Sequence, residues 1–390
     1  MLCSELNDSS EEIPTVFISN DGSVAKILTD LGPVYRIRAR VLPHLSGAIC
    51  LFQLTADDWV MIDAGCGSEE SNSDLEHGMD VLRSEFDESF SVSAIRHIIL
   101  THAHIDHFGG VYEWKRRTGA EVWIHAFESR LVSHYDDCAR VENMRYAHWL
   151  RESGVSASKV QEVLDGFGFR PGRARSVAVD RMLFGGEEFG PLKFFYLPGH
   201  SSGHMVFLFG NVVFSGDLLL SKTVTQIWPA RMTPQTGLIN YILSLKRFEI
   251  IARNYEARFG KKLVAIPAHE DLIVNIPERV AIATRAMEKR NNRVLKLLAD
   301  SETPLSLDEI TRKMYWSGST NREFFALSDV GSRVEFLLQL GLIDVVNSES
   351  VSCDSPTILY KRSLANAETA ENTVEQIVRM YLTGNNSDAI

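Results

Sequence analysis

The sequence predicts a mixed α/β protein, with a layered α/β domain first and a small, mainly helical domain after it. Two observations carry the first part. Apolar runs separated by turn signals recur over residues 35–62 and again over 192–217, as expected for short buried strands. Between them lie stretches with apolar residues at helical spacing, so strands and helices alternate along the chain. A third observation sets the last part off: beyond Pro277 the strand-like runs give way to long helical patterns. At 390 residues the chain is long enough for two domains and a sizeable core.

In chain order, residues 1–30 are polar and read as a flexible segment, and the α/β domain is expected over 31–275. Its first strands are VYRIRARVLP, AICLFQLT and DWVMIDAG. A helix is expected near 78–86, after which the strand at 95–100 runs straight into THAHIDHFGG. Gly109 and Gly110 open the next helix, and EVWIH is the next strand. Residues 128–170 form a helical insert, with helices near 139–152 and 156–167 that line up Met144, Trp149, Leu150, Val160 and Leu164. LKFFYLPGH, HMVFLFG and NVVFSGD make a second strand-rich block, closed by a strand at 263–268. Both blocks end a strand on an aspartate, Asp63 and Asp217, which hints at a weak internal duplication.

Residues 276–363 read as three helices and a hairpin, a winged-helix-like arrangement. The helices are expected at 278–299, within LSLDEITRKMYW, and from Ser328 as N-cap to a stop at Gly341. Strands at 343–346 and 357–361 would form the hairpin, and 364–390 is a modestly amphipathic tail.

Composition excludes several classes. With 45% apolar and 23% charged residues the chain is neither disordered nor collagen-like. The longest nearly apolar stretch, 205–214, is broken by Gly210 and Asn211 and is too short for a bilayer. The N-terminus has acidic residues where a signal peptide needs basic and apolar ones, so neither export nor a membrane partner is expected. A net charge of −11 disfavours a broad nucleic-acid surface. Five scattered cysteines without a CxxC pair argue against a disulfide framework and fit a reducing, cytoplasmic setting.

The histidines carry the chemistry. His102, His104, Asp106 and His107 form H-x-H-x-D-H between a strand and a helix, so two histidines can face one point and the next pair a second point close by. His200, Asp217 and His269 each follow an apolar strand, where a rigid scaffold presents ligands. Imidazole and carboxylate together suit a divalent ion such as zinc, with iron and manganese also open.

HAHIDH, GHSSGH, FSGD and PAHE together resemble the metallo-β-lactamase superfamily, in its glyoxalase II-like hydrolase branch, over residues 35–270. The resemblance implies an αββα sandwich and two metal ions. One would be held by His102, His104 and His200, the other by Asp106, His107 and His269, with Asp217 bridging. It also implies that Asp63 orients a ligand from behind. Two divalent ions, zinc foremost, would bring a shared water towards neutral ionisation, and the hydroxide would attack an acyl carbon or a phosphorus. Asp106 has a second role on this reading, accepting a proton or hydrogen bond from the nucleophile.

The favoured substrate is a small acyl ester, thioester or lactone. The alternatives are a phosphodiesterase or endoribonuclease of the same fold, and a non-enzymatic winged-helix DNA-binding regulator. The insert can cover the site as a lid, with Met144, Trp149 and Phe167 as apolar contacts, although packing onto the sheet is the plainer reading. Arg170, Arg173 and Arg175 could clamp an anionic handle, and Lys222 an anionic leaving group. His204 reads as structural, His97, His125, His134 and His148 as surface or packing residues, and Cys66 as a turn residue.

Glyoxalase II proper ends in a helical glutathione-binding region, and the C-terminal part departs from that pattern. A winged helix after this fold is similar instead to the β-lactamase-like-protein-2 group, which includes RNA-cleaving enzymes. The expected recognition helix, however, pairs one basic residue, Arg333, with Asp329 and Glu335. That favours a packing or homodimerisation element and pocket wall over nucleic-acid binding.

Overall fold

The computed structural model describes residues 13–42, 45–167, 170–315 and 320–364. One sheet contains β1 (Val16–Ile18), β2 (Val24–Thr29), β3 (Gly32–Leu42), β4 (Leu45–Thr55), β5 (Asp58–Ile62), β6 (Ile95–Ile99), β7 (Glu121–His125) and β8 (Arg181–Leu183), in chain order across the sheet. Pairing is antiparallel as far as β5 and parallel from β5 to β8. Parallel neighbours need crossovers, and helices supply them. They are α1 (Glu69–Val81), α2 (Ile105–Phe108) with α3 (Val111–Thr118), and α4 (Ser129–Ser133), α5 (Tyr135–Glu152) and α6 (Ala157–Phe167).

The second sheet contains β9 (Glu188–Phe189), β10 (Leu192–Tyr196), β11 (Met205–Phe209), β12 (Val212–Gly216) and β13 (Val264–Pro267). Its one parallel pair, β12 with β13, is joined through α7 (Leu238–Phe259).

Side-chain alternation assigns the layers. On β3, Tyr35, Ile37 and Ala39 pack with Leu75 and Met79 of α1 and Trp114 of α3, while Val34 turns to the other face. There it joins Phe52, Phe207, Phe214 and Ile266 in a core between the two sheets. A third core lies outside the second sheet, under α7 and the following helix α8 (Ile276–Ala299). The result is helix, sheet, sheet, helix, the αββα arrangement the sequence implied.

The C-terminal part continues with β14 (Leu305–Ser306), α9 (Leu307–Met314), α10 (Thr320–Gln339), β15 (Ile343–Val345) and β16 (Leu359–Arg362), and its small antiparallel sheet runs β14-β16-β15. Asn275 caps α8, and Ser306 with Glu309 forms a capping box on α9. One continuous apolar cluster joins α5, α6, α7, α8, α9 and α10 to the second sheet, so the C-terminal elements and the insert share a core with the α/β body. Among the described residues no helix is long and apolar enough to cross a membrane.

Several expectations need correcting. The segment expected to be flexible to residue 30 is paired strand from Val16 onward, because Val24 and Ile27 are buried in the cores on either side of the sheet. The first helix begins at Glu69, capped by Ser68, rather than near residue 78. The last helix is well under way at Ser328, whose hydroxyl bonds the Phe324 carbonyl inside the helix instead of capping its start. Arg333, the basic residue of the expected recognition helix, is buried and doubly bonded to Asp329. The tail from 365 and Phe167's side chain lie outside what is described.

The predicted site residues lie just past the ends of strands: Asp63 directly after β5, His102 on the turn after β6, His200 on the loop after β10, Asp217 directly after β12 and His269 just after β13. Gly110 lets α2 approach the end of β5 closely. A Cβ there would lie 2.1 Å from the Ala64 carbonyl oxygen and push the Asp63 loop away from the helix that carries Asp106 and His107.

Candidate metal centre

Three imidazole nitrogens converge at one point. His104 Nδ1 lies 2.9 Å from His102 Nε2 and 2.9 Å from His200 Nε2, and the latter two are 3.2 Å apart. A tetrahedral ion ~2.0–2.1 Å from each nitrogen would set them ~3.3–3.4 Å apart, so the triad needs only slight expansion to hold one. Beside it, Asp106, His107 and His269 bring one donor atom each to within 4.8 Å of one another. Asp217 reaches both groups: its carboxylate is 3.6 Å from each of His200, His107 and His269.

The donor set fits divalent ions on a second count. His107 Nε2 and Asp217 Oδ1 are buried without a hydrogen-bond partner, a costly state for polar atoms that a cation would relieve.

The outer nitrogens show how the inner ones are aimed. His200 Nδ1 meets the Gln226 carbonyl at 2.8 Å, His269 Nδ1 the Ser46 carbonyl at 2.9 Å, and His107 Nδ1 the Asp63 carboxylate at 2.9 Å. An imidazole that donates from Nδ1 to such an acceptor keeps its Nε2 lone pair for a metal. Asp63 also accepts from the Thr101 backbone N–H and hydroxyl, which fixes the residue before His102. It does so from a left-handed backbone (φ 60°), a conformation costing ~1–3 kcal/mol and found where a site over-determines it.

Charge divides the centre. Burial lowers His102, His104 and His200, and the neighbouring imidazoles add to this for His102 and His104, bringing His104 to about 3. Burial also opposes charge on His107 and His269, but the carboxylates around them win. His107 rises well above its ordinary value and His269 to about 9. Burial likewise works against Asp106, yet His107 and His269 hold it down at about 2.

The family model described as the metallo-beta-lactamase superfamily matches residues 40–261. The chain belongs to the metallo-beta-lactamase superfamily. Within that superfamily it is 21% identical to the "Probable metallo-hydrolase YqjP" of Bacillus subtilis (strain 168), over 76% of this chain and 89% of that one. Two solved structures share the fold. A metallo-beta-lactamase family protein from Thermus thermophilus has a TM-score of 0.64 at 20% identity, covering 85% of this chain and 98% of its own. A beta-lactamase domain protein from Burkholderia ambifaria has a TM-score of 0.62 at 18% identity, covering 89% of this chain and 94% of its own. Both matches are too long to stop at the superfamily domain, so part of the likeness lies outside residues 40–261.

The other predicted residues are placed as follows. His204 is buried and its Nε2 accepts the Asp217 backbone N–H, which makes it a strut for Asp217. His97 packs against Trp123 and Phe189, and His125 stacks on Tyr196. Lys222 Nζ is 2.7 Å from the Asp271 carboxylate at the exposed rim. Arg170, Arg173 and Arg175 are exposed on the loop after α6, with Arg175 over the ring of Tyr112 on α3. Among the described contacts none joins them to the histidines.

Of the lid residues, Met144 is 74% exposed and Trp149 packs on Phe324 of α10. The side chain beside the three histidines is instead Trp228, with its ring 6.5 Å from that of His104 and against Phe324 and Phe325. Sequence reasoning passed over Trp228, Thr101, Gln226 and Glu128. Trp228 stands in no motif, and the others act on the centre largely through backbone hydrogen bonds, which leave no spacing signal.

Proposed function

We propose that the protein is a dinuclear metal-dependent hydrolase of a small acyl ester, thioester or lactone. The observation that carries this is the pair of adjacent ligand groups, both within reach of Asp217, beside the ring of Trp228. His102, His104 and His200 would hold one ion, Asp106, His107 and His269 the other. Two divalent ions, zinc foremost with iron or manganese as alternatives, supply an ionised water at neutral pH and polarise a carbonyl.

The chain's own residues do the rest. Asp63, Ser46 and Gln226 fix the histidine tautomers. Asp106 lies beside His107 and His269 and would serve as a metal ligand that also orients the nucleophile. The exposed Phe325, backed by the largely buried Trp228, would give an acyl chain an apolar surface. The cations considered for a phosphate handle are otherwise engaged or distant in contact: Lys222 with Asp271, Arg175 with Tyr112, Arg333 with Asp329. That supports an acyl rather than a phosphodiester substrate. The unpaired Cys50, Cys66, Cys138 and Cys353 support a cytoplasmic setting.

The test is hydrolysis of an acyl thioester, a lactone and bis(p-nitrophenyl) phosphate by wild type and Trp228→Ala. The expected result is acyl turnover, with KM for longer acyl chains raised in the variant by about 10-fold, the value of one to two buried methylenes. Phosphodiester turnover alone would move the assignment to the nuclease alternative.

A further inference from the structure

His102 and His104 stand on one loop and His200 on another almost a hundred residues away, yet their nitrogens meet within 3.2 Å. Something must hold the two loops at that separation. Glu128, just beyond β7, lies between them, is 6% exposed, and belongs to none of the motifs. One carboxylate oxygen accepts the backbone N–H of Ala103, the residue between the two histidines, at 2.6 Å. The other accepts the backbone N–H of Gly203, on the loop that carries His200, at 2.8 Å.

Gly203 is built for this approach. A Cβ there would come within 3.0 Å of both Glu128 Cγ and His125 Cβ, so any side chain would push the carboxylate or the loop aside. Tyr196, on which His125 stacks, donates its hydroxyl to the Ser202 carbonyl and holds the same loop from the other side.

We propose that Glu128 is a positioning residue for the three-histidine half of the metal centre, its carboxylate acting as a two-pronged spacer between the Ala103 and Gly203 backbones. This rests on the dinuclear reading above. An ionised carboxylate is the one group of this size that accepts at both ends. An amide can accept at only one, and its NH2 would face the other N–H donor. The half built from Asp106, His107 and His269 receives no hydrogen bond from Glu128 among the described contacts and feels it only through charge at His107, so its ion should respond much less to the change.

The experiment titrates metal-free wild type, Glu128→Gln and Gly203→Ala with Co2+, following visible d–d absorption and ion stoichiometry. The same series is repeated in a His269→Ala background, in which the three-histidine half can be followed alone. Val163→Ala, a buried change on α6, serves as a control for general destabilisation, and the melting of each metal-free protein is recorded. The expected result is two ions in wild type and in Val163→Ala. In Glu128→Gln and Gly203→Ala, affinity for one ion should fall about 10–100-fold with an altered Co2+ spectrum, and the loss should persist in the His269→Ala background. Wild-type affinity and spectrum in both variants would overturn the proposal and leave the dinuclear reading standing. Equal weakening of both ions in Glu128→Gln and Val163→Ala alike would reduce Glu128 to a general structural part. A folded wild type that takes up no ion would overturn the dinuclear reading and this inference together.

Discussion

The two halves of the metal centre solve the same problem in opposite ways. In the three-histidine half, burial lowers His102, His104 and His200 and favours their uncharged forms, so their nitrogens converge on a point suited to a cation. In the other half, the Asp63, Asp106 and Asp217 carboxylates raise His107 and His269, so without a metal these two rings favour their protonated forms and the charges offset one another. On the proposed reading, the first half would take a metal without releasing protons, and the second would have to release them first.

The sharpest way to break this comparison is Asp217→Ala, because that carboxylate reaches histidines of both halves. Both ions should bind more weakly and hydrolysis should fall by on the order of 10^3-fold or more. Retention of both ions would end the bridging assignment. His104→Ala and His269→Ala should instead cost one ion each and leave the other in place, as counted by atomic spectrometry after dialysis.

Calorimetry in buffers of different ionisation heat should separate the halves by their protons. Filling the three-histidine half near pH 7 should release almost none, and filling the other about one to two. The sign for stability follows in the metal-free protein. The raised His269 contributes stability below the ordinary histidine value of ~6.5, and loses it as pH rises through about 9. The lowered His104 remains neutral in the fold, so stability also falls as pH drops below ~6.5. Melting of chelator-treated protein should therefore peak near pH 6.5, and a flat profile from 6 to 9 would contradict the assignment.

Asp63→Asn should act only through His107 and Thr101, weakening the carboxylate-side ion about 10–100-fold without changing the count at saturating metal. The smallest effect is expected at Lys222→Ala, less than about twofold in turnover, since the ammonium sits in an exposed pair at the rim.

The same contrast explains what could be read in the sequence. Ligands announce themselves because metal chemistry restricts residue type and strand ends restrict position: His102, His104, Asp106 and His107 at the end of β6, then His200, Asp217 and His269. Asp63 was legible only through the family resemblance. Glu128 and Gln226 were not, since they act on backbone groups that any residue could offer. The layered fold was legible from the apolar runs between turn signals that became β3, β4 and β10. Short β1 was missed because its three residues are all exposed and carry no buried face. The start of α10 was missed because Ser328, a good cap by type, spends its hydroxyl inside the helix and on Gln226.

The most direct measurement is metal content of the protein purified without added metal, before and after chelation, with acyl hydrolysis assayed on the same samples. The account requires close to two divalent ions per chain, turnover lost on chelation, and turnover restored when the ions are returned. A folded protein that holds no ion and takes none up, or one whose acyl turnover survives complete chelation, would contradict it.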